Sequence, residues 1–411
     1  MSALTQRTGG PGDAILGATP RQVFEPSSTR EAAQVMAHCG GAGLALAVVG
    51  GGTALGLGRA PTSLDAVVRT GKMARILEYA PADMVLVAEA GVTLAALQAA
   101  AHAHRQRLAL DPPNPEQATV GGLVAVGAAG PLRARYGTVR DLIIGVTLVR
   151  ADGRVAKSGG KVVKNVAGFD LPKIACGSLG TLAMVASANF RLHPEPELSA
   201  TAFLPGLGAE RVVQLVLQVR EAQLEPAAAI ALRAAGGVFD LEVVFEGFAA
   251  GVRQQLARLQ ELARALGTSC EPLSDPAAAS VRAGHDSVRS HGGLRVRVAA
   301  LPTLLPTVDV VVGPVLGALS GGAFAWYPSA GLGWISGEPG DPQALVSTLD
   351  AARARLVQAG GSLVLEAAPG SVRAAMDPWG PVPPSFALME RLKQRFDPAR
   401  RLNPGRYVGG L

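Results

Sequence analysis

The chain has 411 residues, a formal net charge of +6, and 48% hydrophobic residues with only 4% aromatics. That length can bury two or three separate cores, and no apolar run reaches the roughly 18 residues that span a bilayer. The basic balance is no nucleic-acid signature, because no strand-reading motif or basic helix accompanies it and few aromatics are available to stack on bases. No nucleic-acid partner and no transmembrane segment are therefore expected. The opening "MSALTQRTGGPGDAIL" lacks the basic-then-apolar pattern of a signal peptide. A cytoplasmic protein is predicted, reaching a membrane only through partners. Cys39, Cys176 and Cys270 lie far apart and form no CxxC pair, so neither a disulfide framework nor an iron–sulfur site is encoded.

In chain order, "LALAVVG" reads as a buried strand, and it runs into "VVGGGTALGLG", Val48 to Gly58, where five glycines fall in nine residues. "MVLVAEAG" is a second strand. A helix follows through "LAALQAAAHAHRQR" with Thr93 as its N-cap. "PPNPEQATVGGLVAVGAAGP" (112–131) reads as a second loop of small residues, and "GGKVVKNVAGFDLPKIACGSLGTLAMV" (159–185) holds a third. Between them, "DLIIGVTLVRADGRVAKSG" predicts a hairpin turning at Asp152-Gly153. "TLAMVASANFRLHP" closes this half as a strand stopped by Pro194 and Pro196. Lysine occurs only at 72, 157, 161, 164, 173 and 393. The cluster at 157–173 is either a lysine-bearing hairpin edge or a basic rim facing an anion or a partner.

From about residue 197 the strands "SATAFLP", "AAIALRA", "FDLEVVFEG", "LRVRVAA" and "GSLVLEAA" alternate with the helices "AERVVQLVLQVREAQ", "VRQQLARLQELARAL" and "PQALVSTLDAARARLVQAG". This predicts an α+β layer of ferredoxin-like kind. "RAGHDSVRSHGG" reads as a loop, and "PSFALMERLKQRFDPARRLNPGR" as a helix ended by a Pro-rich turn. No internal repeat is visible in the residues.

Glycine loops after strands hold phosphates through backbone N–H groups. The dinucleotide fingerprint fails here, because Gly50 and Gly52 are followed by Leu55 where the third glycine belongs. The P-loop also fails, because Leu57 and Gly58 replace its Lys and Ser/Thr. A plain turn remains open, at the entropic cost of five glycines. Three such stretches in one half-chain point instead to a long ligand lying close to the backbone, such as a dinucleotide.

The order GGGT, ATVGG, RYGTVRDLIIG, KNVAGFDL, GSLGTL and LNPGR resembles the vanillyl-alcohol oxidase (PCMH-type) flavoprotein family. Within it, "GGKVVKNVAGFDLPKIACGSLGTL" and "FDPARRLNPGR" are similar to the FAD-binding E subunits of glycolate oxidases. The resemblance covers 25–195 and 385–411, and the middle matches in layout only. It implies an N-terminal tail at 1–24 and a PCMH-type FAD-binding domain of two α/β subdomains at 25–195. An α+β cap domain at 196–384 and a C-terminal segment at 385–411 returning to the first domain would follow. Gly51, Gly52, Thr53 and Ala54 would hold the FAD pyrophosphate. Thr119, Gly121, Gly122, Gly127 and Ala128 would line the ribityl chain and flavin, with Pro113 also in the cofactor-binding set. Gly180 and the backbone of Val185 would lie along the cofactor. Arg406 would approach the flavin end, or else make a C-terminal salt bridge, and Asp170 would serve the site or simply cap a helix.

Relatives with covalent flavin place His in the first loop. Thr53 stands there in this chain, with no His within 40–60, which implies non-covalent FAD. The catalytic 2-hydroxy-acid members carry a His-x-His metal motif. The second half of this chain has only His285 and His291, whose spacing on a loop is poor ligand geometry, so no metal site and no catalytic base are assigned. His102 and His104, two apart on a helix, do not share a face. The resemblance implies an FAD-dependent redox subunit of a glycolate oxidase complex, oxidising glycolate to glyoxylate beside a catalytic flavoprotein subunit and an iron–sulfur subunit. Two alternatives stay open: a self-sufficient FAD-linked dehydrogenase of a small 2-hydroxy acid such as D-lactate, and a non-catalytic assembly subunit.

Overall fold

The computed structural model describes residues 5–160 and 170–411; the stretch 161–169, "KVVKNVAGF" with Lys161 and Lys164, lies outside the described residues. Two compact units form, one from Met1–Gly130, Gly137–Glu195 and Pro381–Leu411, the other from Pro131–Tyr136 and Pro196–Gly380.

The first unit holds two main sheets. One has the strand order Gln6–Thr8, Gln22–Phe24, Ala66–Arg69, Leu46–Val49, and the last three strands run parallel. The helix Thr29–Gly41 covers it. Ser28 caps this helix by accepting from the Glu31 N–H, and the Glu31 carboxylate accepts from the Ser27 N–H at 2.9 Å, so orphan donors of the first turn are satisfied. The second sheet has the order Ile76–Ala80, Val85–Glu89, Met184–Arg191, Ile143–Val149, Val155–Gly159. It contains the predicted hairpin, turning through Gly153 at φ +79°. Lys157 lies on its edge strand, as the hairpin-edge reading expects, and Lys173 pairs with Asp170 at 2.5 Å. Thr93 caps the helix Leu94–His102. A core of Phe24, Met36, Cys39, Leu46 and Val68 with Val149, Met184 and Leu402 draws on both sheets.

The C-terminal segment closes this unit. The helix Phe386–Phe396 carries Lys393, 1% exposed, whose ammonium donates to Asp397 at 2.8 Å, the Thr181 carbonyl at 2.8 Å and the Leu402 carbonyl at 2.9 Å. Burial pushes the Lys393 pKa down, against the pull of Asp397. Asp397 also accepts from the Leu402 N–H at 2.7 Å. Leu402 then pairs in parallel with Leu46, so the tail extends the first sheet by a bridge.

The second unit is one antiparallel eight-stranded sheet with the order Glu271–Pro272, Leu198–Leu207, Phe239–Gly247, Ala228–Arg233, Leu319–Tyr327, Leu332–Pro339, Leu294–Ala299, Ser362–Ala367. It consists of two βαββαβ units. Each half runs strand, helix, strand, strand, helix, strand, and they join edge to edge through Ala231↔Trp326 and Leu232↔Ala325. The ferredoxin-like layer predicted from sequence is therefore present twice, a duplication that the residues themselves do not show. The four crossover helices bury one face, with Leu215, Leu259, Val311 and Leu349 in its core.

The stretch "RAGHDSVRSHGG", expected as a loop, is instead mostly helical: Asp275–Ser290 is a 16-residue helix. Its period of 3.6 turns Arg282, His285 and Arg289 to one face, and His285 is fully buried. Phe324 and Trp326 belong to the first core, whereas Ala325 and Tyr327 pack with Val288 of this helix. Successive strand residues face opposite ways, so the helix lies on the other side of the sheet.

Removing one partner of a buried ion pair leaves the other uncompensated, which costs about 3–5 kcal/mol. Asp397→Ala is expected to lose stability of that order in urea denaturation. Asp397→Asn, which keeps an acceptor for the Leu402 N–H, is expected to lose clearly less.

Candidate functional site

A cleft of about 740 Å³, partly open to solvent, lies in the first unit. Strand Leu46–Val49 leads into it, and Thr70, next after strand Ala66–Arg69, lines it too. It thus sits at the carboxyl ends of parallel strands, where open α/β sheets bind ligands. Of the sequence candidates, Gly51, Gly52, Thr53, Ala54, Thr119, Gly121, Gly122, Gly180, Val185 and Arg406 line this one cleft. Pro113, Gly127 and Ala128 are not among its lining residues. Gly127 ends the helix Val120–Val126 in the left-handed region at φ +69°, and Ala128 packs against the core behind it.

The second small-residue stretch is a loop at its two ends, but its middle is a helix. Thr119 caps the helix Val120–Val126, its hydroxyl accepting from the Gly122 N–H at 3.4 Å. The amides of this helix end are already spent: Val120 N–H donates to the Val92 carbonyl and Gly121 N–H to the Ala90 carbonyl, both at 2.8 Å. Gly121 is glycine because a Cβ there would stand 2.9 Å from the Ala90 Cβ.

The first loop behaves differently. The N–H groups of Gly51, Gly52, Thr53 and Ala54 have no partner among the described residues. Gly52 holds φ at +79°, a conformation that L side chains rarely adopt. At Gly51 a Cβ would fall 1.7 Å from the Gln117 carbonyl oxygen. That position is thus fixed by the neighbouring chain, not by room for a ligand. At Gly122 only the Thr119 hydroxyl, at 3.3 Å, would meet a Cβ, and the rest of the direction is open.

Arg406 is 3% exposed. Its Nη2 donates to the Leu55 carbonyl at 2.8 Å and the Leu57 carbonyl at 2.7 Å, and its Nε to the Arg59 carbonyl at 3.3 Å. It therefore clamps the glycine loop, a role that neither sequence reading of Arg406 contained. Asp170 stands at the N-cap of the helix Leu171–Ala175 without a side-chain capping bond.

Two polar side chains were missed. Thr70 (2% exposed) and Asn403 (3% exposed) line the cleft, and Thr70 Oγ1 and Asn403 Oδ1 have no hydrogen-bond partner among the described residues. Asn403 sits in the quoted "LNPGR", held at φ +45° with Nδ2 donating to the Leu179 carbonyl at 2.8 Å. Thr70 stands in no motif. Among the described residues, no Asp or Glu lines the cleft. Unpaired amides, apolar walls and one cation suit an extended anionic ligand whose middle carries the charge.

The histidines do not converge. His285 Nε2 lies 2.5 Å from the Tyr327 hydroxyl, while His291 follows the helix end, beside the Ser290 hydroxyl at 2.9 Å. His102 pairs with Glu195, and His104 meets Tyr79 edge-on. Among the described residues no three potential ligands gather around a point, and no helix is long and apolar enough to cross a membrane.

Overpacking a fixed backbone contact costs about 1–3 kcal/mol or more. Gly51→Ala is expected to lower the denaturation midpoint accordingly. Gly122→Ala, in a helix with open space before it, is expected to be neutral or up to about 1 kcal/mol stabilising.

Comparison with known proteins identifies the ligand class. The FAD binding domain family matches residues 20–159, and the C-terminal domain of FAD linked oxidases matches residues 336–407. A D-lactate dehydrogenase of Archaeoglobus fulgidus is 28% identical over 95% of this chain and 91% of its own length. The glycolate oxidase subunit GlcE of Escherichia coli is 34% identical, but the match spans 44% of this chain and half (50%) of that subunit. The solved structure of p-cresol methylhydroxylase with substrate bound superposes with a TM-score of 0.73 at 13% identity, over 95% of this chain and 89% of that one, which speaks to the fold. The cofactor is FAD, the fold is the PCMH-type FAD-binding fold, and the chain is an FAD-dependent oxidoreductase.

Proposed function

We propose that this chain is the FAD-binding redox subunit of a glycolate oxidase complex, oxidising glycolate to glyoxylate and passing electrons on through a catalytic flavoprotein subunit and an iron–sulfur subunit. The observation that carries the cofactor site is the row of unpaired N–H groups at 51–54 inside the cleft. Those amides would hold the FAD pyrophosphate, with no helix end needed. Thr119, Gly121, Gly122, Gly180 and Val185 would form the walls along the extended cofactor, with Pro113, Gly127 and Ala128 behind them. The domain reading that goes with this assigns 25–195 and 385–411 to FAD binding and 196–384 to the cap.

Bound FAD supplies the two-electron acceptor as the substrate's C–OH carbon becomes a carbonyl. The protein's part is to position and shield. Arg406 fixes the loop that meets the diphosphate, and Asn403 and Thr70 present polar atoms into the cleft. With Thr53 where covalent relatives place His, attachment is non-covalent. The similarity to the GlcE subunit, although confined to half of it, favours glycolate and a multi-subunit setting. The D-lactate dehydrogenase similarity runs along nearly the whole chain, and it favours the second reading, a self-sufficient dehydrogenase of a small 2-hydroxy acid.

The purified chain is expected to carry yellow FAD that acid precipitation releases. Gly122→Val, with a side chain in the open direction, is expected to keep the far-UV CD spectrum and lose most of the flavin. Glycolate is expected to bleach the flavin quickly only after co-expression with the partner subunits. Rapid bleaching of the isolated chain by D-lactate would replace the subunit reading with the self-sufficient one, and a colourless chain that cannot be reconstituted would overturn both.

A further inference from the structure

We propose that Thr70 is a cofactor-contacting residue, its hydroxyl hydrogen-bonding to an oxygen of the diphosphate–ribityl chain of bound FAD. The inference rests on the assignment of the cleft to FAD made above. Thr70 follows directly on strand Ala66–Arg69. Its backbone is fully used: the N–H donates to the Val49 carbonyl at 3.0 Å, and the carbonyl accepts from the Met73 N–H at 2.8 Å. The first of these bonds places Thr70 beside the start of the glycine loop, whose unpaired donors begin two residues after Val49. The backbone is also closely packed, since a Cβ at Gly91 would fall 2.1 Å from the Thr70 carbonyl oxygen.

What remains is a hydroxyl on a residue only 2% exposed, lining the cleft, with no partner among the described residues. A buried hydroxyl left unbonded is costly, whereas valine, of the same shape, would fill the position without that cost. Packing alone would favour valine here. A partner that enters the cleft with oxygen atoms at the loop's donor end accounts for threonine. The hydroxyl can both donate and accept, so it suits a phosphate oxygen and a sugar hydroxyl alike. Asn403 Oδ1, the other orphan, only accepts, and therefore does not impose the same demand.

Thr70→Val and Thr70→Ser test this on the full chain, stripped of flavin by acid and titrated with FAD by flavin fluorescence, with the Tm of each apo-protein recorded. For Thr70→Val the expected result is an apo Tm equal to or above wild type together with an FAD Kd about fivefold weaker. Thr70→Ser, which keeps the hydroxyl, is expected within about twofold of wild type. The opposite movement of the two readouts separates a cofactor contact from a structural bond, which would lower the apo Tm. A Thr70→Val chain that binds FAD as tightly as wild type, or whose apo Tm falls, overturns the inference and leaves the FAD site standing. A wild-type chain that takes up no FAD overturns the cofactor site and this inference with it.

Discussion

The first unit depends on one buried charge being satisfied. The Lys393 ammonium is out of water, and it is held by a carboxylate and two backbone carbonyls. Those partners belong to the 181 turn and the 397–402 segment, so a single side chain fixes the tail against the elements that end at the cleft. The consequence runs forward along the tail. Once Leu402 is bridged to Leu46, Asn403 reaches the Leu179 carbonyl and Arg406 reaches the carbonyls of Leu55 and Leu57. A loop near residue 50 is thus shaped by residues some 350 positions later, a contact of the kind that local propensity does not encode.

That distance explains what could and could not be read from the residues. Elements set by neighbouring residues were legible: Thr93 as a helix cap, the Asp152-Gly153 hairpin, and strand Leu46–Val49 running into glycines. The candidate set from 51 to 54 was legible because glycine density after a strand has few uses, and family order narrowed them. The error at 112–131 has a specific cause. Two adjacent glycines read as loop, yet Thr119 supplies the cap, and the close approach of Ala90 makes glycine at 121 a packing requirement inside a helix. The error at 282–293 arose from reading Gly, His and Ser as loop formers, when a sheet face was waiting to be covered. Thr70 left no signal at all, since its significance is the absence of a partner.

The second unit handles buried charge less completely. Glu242 is 1% exposed, neither carboxylate oxygen has a hydrogen bond among the described residues, and Arg282 is 3.8 Å away. Burial pushes its pKa up, and burial likewise pushes His285 down, so both are driven towards their neutral forms. Lys393 differs because three acceptors meet its three donors, and the ion can persist. On the helix that covers this sheet face, Arg289 stacks 4.9 Å over the Trp334 ring, a surface on which a guanidinium packs favourably.

The glycine loop and the helix end beside it use their backbone amides in opposite ways. The helix Val120–Val126 offers its amides to Ala90 and Val92, and that bonding locks the helix to the sheet and leaves nothing for a ligand. The loop does the reverse. Arg406 consumes its later carbonyls, residues 117–119 press against Gly50 and Gly51 from behind, and the amides of 51–54 are left over. A row of donors with no partner among the described residues is costly in isolation, and it persists in a defined shape because the tail and the 117–119 segment over-determine the loop. Preorganisation of this kind moves the ordering cost of a bound ligand from binding to folding.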